Sequence, residues 1–173
     1  AGERLAEQAL EHGRSAGQRD AELIYRIQRS FVSRIRDPGP DQIEMTRRAV
    51  AAFPRMAAWQ AALADLESLI GRPETAAELL EDAIGTRWQH IGWDMSRTLT
   101  IVFYVEAAVR LSLTDAAASL YDLLAPCHDQ FVWDGTAGRG HVRMWLGLLA
   151  ATLGRASEAD DHLAFSIDFH ERN

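Results

Sequence analysis

Lysine is absent from this chain, and all 18 of its basic residues are arginine. That removes several chemistries at once, because a phosphate-binding loop with its lysine, a Schiff-base lysine and a lysine acid or base cannot be built. Cysteine is nearly absent: Cys127 stands alone, so no intrachain disulfide forms and nothing argues for an oxidising compartment. The expected setting is cytoplasmic. Long hydrophobic runs are missing as well. The most apolar stretch, Leu99 to Leu113, is interrupted by Thr100, Glu106 and Arg110, short of the roughly 18 to 20 apolar residues of a membrane span, and it reads as a helix buried on most sides. No basic segment followed by an apolar one marks a signal peptide. The chain opens on Ala1-Gly2 inside a helical pattern, which reads as a piece of a larger protein.

What remains is the composition of a globular protein, 173 residues at 47% hydrophobic and 25% charged, enough for one domain, 1–173, around one core. The net charge of −7 is unevenly spread. Residues 1–55 carry 10 arginines against 8 acids, whereas 56–173 carry 8 against 17. An acidic body repels phosphate backbones, which disfavours general nucleic-acid binding.

Apolar residues recur at spacings of three and four nearly throughout, and sustained alternation is absent, so the reading is all-α. Helices are expected near 3–13, 20–36, 41–52, 55–70, 73–85, 94–112, 115–125, 138–153 and 156–171. The breaks have physical causes. Asp37-Pro38-Gly39-Pro40 denies the backbone helical geometry and donors, Gly71 suits a left-handed helix end, and Pro73 suits a first helical turn. Thr114 is a candidate N-cap, with Asp115 at the positive end of the next helix.

Three stretches carry one pattern: Leu66 to Ile84, Ala108 to Leu124 and Leu149 to Ile167. In each, a helix ends on a small residue and a second helix opens with acid and alanine. Gly71 falls on Gly154, Ala76 on Ala159, Leu80 on Leu163 and Ile84 on Ile167, while Ala117 sits halfway between Ala76 and Ala159. A recurring helix-turn-helix unit signals a stacked helical array, since one pair cannot bury its apolar face alone. Two long connections widen the spacing of the copies. One runs from Gly85 to Asp94 with Trp88 and Trp93, the other from Pro126 to Gly135 with Phe131 and Trp133, and their aromatics are expected to tuck each loop over the end of a helix pair.

The text Leu120-Tyr-Asp-Leu-Leu-Ala-Pro126, then Trp145-Leu-Gly-Leu-Leu-Ala-Ala-Thr-Leu-Gly-Arg155, then Glu158-Ala159 and His162-Leu163, resembles the tetratricopeptide-like C-terminal region of large bacterial regulators. In these a STAND-type ATPase is joined to a nucleotide cyclase or to a LuxR-type helix-turn-helix. Ala21-Glu22, Phe53-Pro54, Trp59, Leu63-Ala64, Gly71-Arg72 and Ala76 follow the order such regions show. Cys127 departs from the pattern where an aromatic is expected, and Ser112 where the helix-ending glycine is. The resemblance implies a right-handed superhelix of stacked helix-turn-helix pairs and a regulatory role. It brings no catalytic domain, because the chain has no GxxxxGK[ST], no placeable cyclase aspartate pair and no recognisable DNA-reading helix.

Aligning the copies to a tetratricopeptide repeat places Asp65, Leu99, Val102, Glu106, Arg110, His141 and Leu148 near the inner face of first helices, the usual binding groove of such arrays. A second candidate surface lies on helix 20–36. There Arg19, Arg26, Arg29 and Arg36 oppose an apolar face of Ile24, Ile27, Phe31 and Ile35, which makes a basic docking face or an ordinary solvated one. Cys127-His128-Asp129 with His141 has ligand and nucleophile chemistry but no CxxC or HExxH spacing. Glu158, Asp160, Asp161 and His162 cluster near a helix start, where carboxylates are favoured without catalysis. The expectation is a non-catalytic interaction and regulatory module of a signalling protein. It would need no cofactor or metal, and its partner would be another protein, neighbouring domains of its own polypeptide, or a second copy. The alternatives are a small enzyme using Cys127/His128 and nucleic-acid binding through the arginine face.

Overall fold

A computed structural model describes residues 2–36, 39–133 and 138–172, with the side chains of 30, 31 and 33–36 outside that description. In chain order the elements are α1 (Gly2–Ser15), α2 (Ala21–Arg36), α3 (Pro40–Ala52), α4 (Ala57–Leu69), α5 (Pro73–Gly85), α6 (Arg97–Arg110), α7 (Thr114–Leu124), a short turn of 3-10 helix (Ala125–Cys127), β1 (Phe131–Trp133), β2 (Gly138–His141), α8 (Val142–Thr152) and α9 (Ala156–Arg172). Among the described residues no helix is long and apolar enough to cross a membrane.

Helices follow one another in packed pairs, α4 with α5, α6 with α7 and α8 with α9. The first members also stack, α4 on α6 and α6 on α8. Ahead of them α1 packs on α2, α2 on α3 and α3 on α4. Position in this stack explains why α4 and α6 are covered so completely. From Ala61 to Ser68 every residue of α4 is buried, as is every residue of α6 from Leu99 to Val105. Tyr104, Leu66, Leu80, Ile101, Leu120 and Leu149 are the large side chains sealed at the centre, each aliphatic one contributing about 1.5–3 kcal/mol by leaving water.

The three repeated junctions share one backbone geometry. Gly71 has φ +78°, Ser112 +54° and Gly154 +73°. Beyond each left-handed residue the next N–H bonds back to a carbonyl five positions earlier, Arg72 to Glu67, Leu113 to Ala108 and Arg155 to Ala150, all at 2.9 Å. The shared bond closes the helix end, reverses the chain and satisfies a carbonyl that the helix leaves open. It lets the following helix fold back, and Ala76, Ala117 and Ala159 are then buried against the first helix. Thr114 is the first residue of α7; Leu113 occupies the cap position, without a side-chain cap bond.

The all-α expectation holds for most of the described residues, and the helix expected over 138–153 needs one correction at its start. β1 and β2 form an antiparallel hairpin pairing Phe131 with His141, Val132 with Gly140 and Trp133 with Gly138, with a register shift between Val132 and Trp133. The segment expected to open a helix at 138 is therefore strand as far as His141. Gly138 and Gly140 are poor helix residues, and Gly140 at φ +118° occupies backbone space closed to other side chains. Val132 alone of the β1 residues turns inward and is fully buried.

Candidate functional site

Burial of charge on α4 and α6 forces pairing. Asp65 and Glu67 lie in a helix enclosed by α3, α5 and α6, and both side chains are fully buried. A carboxylate removed from water must find cations and donors, and neighbouring elements supply arginines. Arg110 of α6 reaches Asp65 Oδ1 at 3.1 Å, donates to the Ser68 hydroxyl, and lies 3.4 Å from the Asp65 carbonyl oxygen. Partial burial pulls the Arg110 guanidinium below its ordinary pKa, opposed by Glu106 nearby. Glu67 accepts from Arg47 of α3 at 2.6 Å and faces Arg72 at 3.7 Å. One turn before Arg110, Glu106 accepts from Arg139 of β2 at 2.6 Å, and that guanidinium stands 4.9 Å from the Phe103 ring centroid. The result is a ladder of arginine–carboxylate contacts that ties α3 to α4, α4 to α6, and α6 to the hairpin.

This ladder absorbs much of the expected groove lining. Asp65, Leu99, Val102 and His141 are buried, and Val102 sits in the core with no open surface. Glu106 and Leu148 are partly accessible, and Arg110 is exposed, with a third of its side chain open. The hairpin lies against α6 and covers Glu106 and Phe103 with Arg139, so a face that would be open in a bare stack of helices is occupied by the chain itself. His141 lies away from the carboxylates. It caps α8, its ring nitrogen Nδ1 accepting the Arg143 backbone N–H at 3.3 Å.

The arginine face of α2 is not a uniform cationic surface. Arg19 is exposed and Arg26 and Arg29 are half-buried; Arg26 shares its surroundings with Glu22, Asp41 and Glu44, and Arg29 lies 3.9 Å from Glu3. The Arg36 side chain, with those of Phe31 and Ile35, lies outside the described residues. Ile24, expected on the buried side, is 47% exposed. At the third candidate, Cys127 is half-buried, while His128 turns to the Ala125 carbonyl at 3.2 Å and to Asp129 at 3.1 Å. Among the described residues no group of three or more His, Cys, Asp or Glu is placed to hold a metal.

At the start of α9, Glu158 accepts from the Tyr121 hydroxyl and His162 Nε2 lies 3.0 Å from the same oxygen. The Tyr121 bond draws Glu158 below the ordinary carboxylate pKa, while burial and Glu158 push Tyr121 up to about 12. His162 is lowered, chiefly by burial. These contacts bind α7 to α9.

The two aromatic loops behave differently from the common role expected of them. In the first, Arg87 and Trp88 both adopt left-handed backbone at φ 50° and 60°, which turns the Trp88 ring inward to 5.3 Å from Tyr104 and leaves it 7% exposed. Trp93, five residues on, is 88% exposed and Met95 79%. Trp93 is nonetheless held. Arg97 lies over its ring at 4.0 Å while bonding the Ile91 carbonyl at 3.0 Å, and Asp94 folds the next turn by accepting from the Ser96 N–H and hydroxyl. In the second loop Phe131 and Trp133 are half-exposed on one side of β1. Tryptophan in a connecting segment was the signal in the sequence, but spacing alone did not separate Trp88 from Trp93.

No protein-family model, no curated protein and no solved structure matches the chain.

Proposed function

We propose that the chain is a non-catalytic protein-interaction module, a tetratricopeptide-like superhelix of stacked helix pairs serving a cytoplasmic bacterial regulator whose output is a nucleotide cyclase or a LuxR-type helix-turn-helix. The pairwise packing of α4 to α9 and the three equivalent left-handed junctions support the array. The observation that carries the interaction role is Trp93. A tryptophan 88% exposed beside a methionine 79% exposed, with Arg97 over the indole and an Asp94 turn next to it, offers a large apolar anchor that is partly ordered before a partner arrives. The acidic body favours a partner, or a neighbouring domain of the same polypeptide, with a basic rim.

A photo-crosslinking amino acid at Trp93, in the full-length protein inside its own cells, tests this. It is compared with one at Glu78, an exposed position on α5. Crosslinking from 93 to one defined protein, or to another domain of the same polypeptide, with none from 78, is the expected result. Equal labelling from both positions, or none from 93, overturns it. Trp93→Ala checks the same surface from the other side, losing the crosslinked partner while changing stability by no more than about 0.5 kcal/mol.

A further inference from the structure

His141 stands where β2 ends, α8 begins and α9 packs. Its ring is 4% exposed, with the Phe165 and Phe169 rings of α9 at 4.9 and 4.7 Å, tilted by 56° and 53°. As the N-cap of α8 it uses Nδ1 as an acceptor, which requires a neutral ring with its proton on Nε2. An imidazolium has no acceptor, so protonation removes the cap bond. It would also set a cation at the positive end of the α8 dipole.

The charged groups around the ring are mostly of the wrong sign for a cation. Arg143 of α8 faces it, as do His170 of α9 and His128 of the turn before β1, each opposing protonation; Asp129, from that same turn, favours it. Asp129 is 75% exposed and lies 3.6 Å from Arg143, so its field at His141 is screened and shared. Arg143 itself stands 4.1 Å from the Phe165 centroid, and the His170 ring rests against Gly140 of β2. Edge-tilted aromatic rings return part of the lost solvation by cation–π attraction. They do not replace the cap. Burial first, then Arg143, holds the pKa of His141 below its ordinary 6.5.

We infer that His141 is a proton-operated latch: the neutral ring caps α8 and seats α9 through Phe165 and Phe169, and protonation in mildly acid conditions releases α9 from the β2–α8 joint. The release is local, because α9 holds the rest of the chain through α8, β2 and the Tyr121 contacts, whereas α4 and α6 are closed by their own ladder. It frees the covered sides of Phe169 and of Phe165, itself already 37% exposed, and the face of α8 at Gly147, where Leu163 now rests. His162 is not the trigger. With the Tyr121 hydroxyl given to Glu158, His162 Nε2–H donates to the tyrosine oxygen, a bond that an imidazolium keeps; burial, Arg143 and His128 oppose its protonation, while Glu158 and Asp161 favour it.

Hydrogen exchange of the intact chain at about pH 7.5 and about pH 5.5, corrected for intrinsic exchange rates, reads the latch directly. Protection of α9 is expected to fall by up to about tenfold, the most that a pH one unit below 6.5 allows, and by more than that of α6. His141→Asn retains a capping acceptor that does not titrate and is expected to remove most of the α9 loss, leaving the smaller part that His162 carries; His170→Gln is expected to leave the loss in full. Equal α9 protection at both pH values, or an undiminished α9 loss in folded His141→Asn, overturns the inference. If that variant does not fold, ring NMR of the unaltered chain decides. The expected result is an Nε2–H tautomer at neutral pH that titrates below 6.5 in step with the α9 amides. A ring that titrates above 6.5, or stays neutral while α9 opens, rejects the latch.

Discussion

Arg110 of α6 bonds Asp65 of α4 across 45 positions of sequence, Nη1 to Oδ1 at 3.1 Å, and the two sides of this pair are not equivalent. The aspartate is fully buried, whereas a third of the arginine side chain remains accessible.

That asymmetry gives the first prediction. Arg110→Met keeps the aliphatic stem but leaves the enclosed Asp65 carboxylate without its arginine, so the loss of stability is expected near the lower end of about 3–5 kcal/mol. Asp65→Asn keeps shape and hydrogen-bonding capacity while Arg110 turns toward water, and it is expected to cost less, about 1–2 kcal/mol. Urea denaturation of the two variants and of their combination measures both costs. A double variant no worse than Arg110→Met confirms that they share one interaction; equal single losses would show that Arg110 is as deeply committed as its partner.

Ser112 supplies the second. It occupies at φ +54° the left-handed position that Gly71 and Gly154 hold in the other copies, a conformation that costs a non-glycine residue about 1–2 kcal/mol. Ser112→Gly removes that strain at some expense in unfolded-chain entropy, so a net gain of up to about 1 kcal/mol is expected. Gly71→Ala and Gly154→Ala run the comparison backwards. No atom lies within 4 Å of a Cβ added at either position, so any loss reports backbone strain and not a clash. Thermal or urea unfolding of the three variants should order them with Ser112→Gly above the parent and both alanine variants below it. A destabilised Ser112→Gly would mean that the serine side chain contributes more than its backbone costs.

These junctions were also the most legible part of the sequence. A helix end, a residue able to go left-handed and a buried alanine five positions later recur at fixed spacing because the turn demands all three. The hairpin was hidden for the opposite reason. Strands of three and four residues are shorter than any window in which a period of two can be told from a period of 3.6, and Gly138 to His141 joined smoothly onto the helical pattern of α8. Repeat spacing brought Asp65, Glu106 and Arg110 forward as candidates for one face. It could not show that each charge is answered by another element, since Arg110 answers Asp65 and Arg139 answers Glu106 through pairings set by tertiary packing. Trp88 and Trp93 were alike in the sequence. The left-handed turn at Arg87 and Trp88 that buries one and leaves the other out is not encoded by glycine.

Stability as a function of pH is the third prediction, and three histidines decide it. His90, His141 and His162 all have pKa values lowered from 6.5, each chiefly by burial. At His90 the Thr86 hydroxyl is already given to the Ala83 carbonyl, so Nδ1–H donates to Thr86 and Nε2 accepts from Tyr104 at 3.1 Å, an arrangement that again requires a neutral ring. A histidine whose folded pKa is depressed binds its proton more readily in the unfolded chain. Its contribution is therefore complete above 6.5 and declines as pH falls through 6.5 toward the folded value, by about 1.4 kcal/mol for each unit of depression. Glu158, lowered from 4.5 by its Tyr121 bond, acts the same way in a separate, more acid window. Urea midpoints are thus expected to be flat between about pH 7 and pH 8, to fall below about 6.5, and to fall again below about 4.5. His90→Gln should make the first decline shallower without touching the second, and Tyr121→Phe should do the reverse for the Glu158 step. A midpoint that rises on acidification from neutral pH would mean that these rings gain more from neighbouring acids and aromatic faces than they lose by burial.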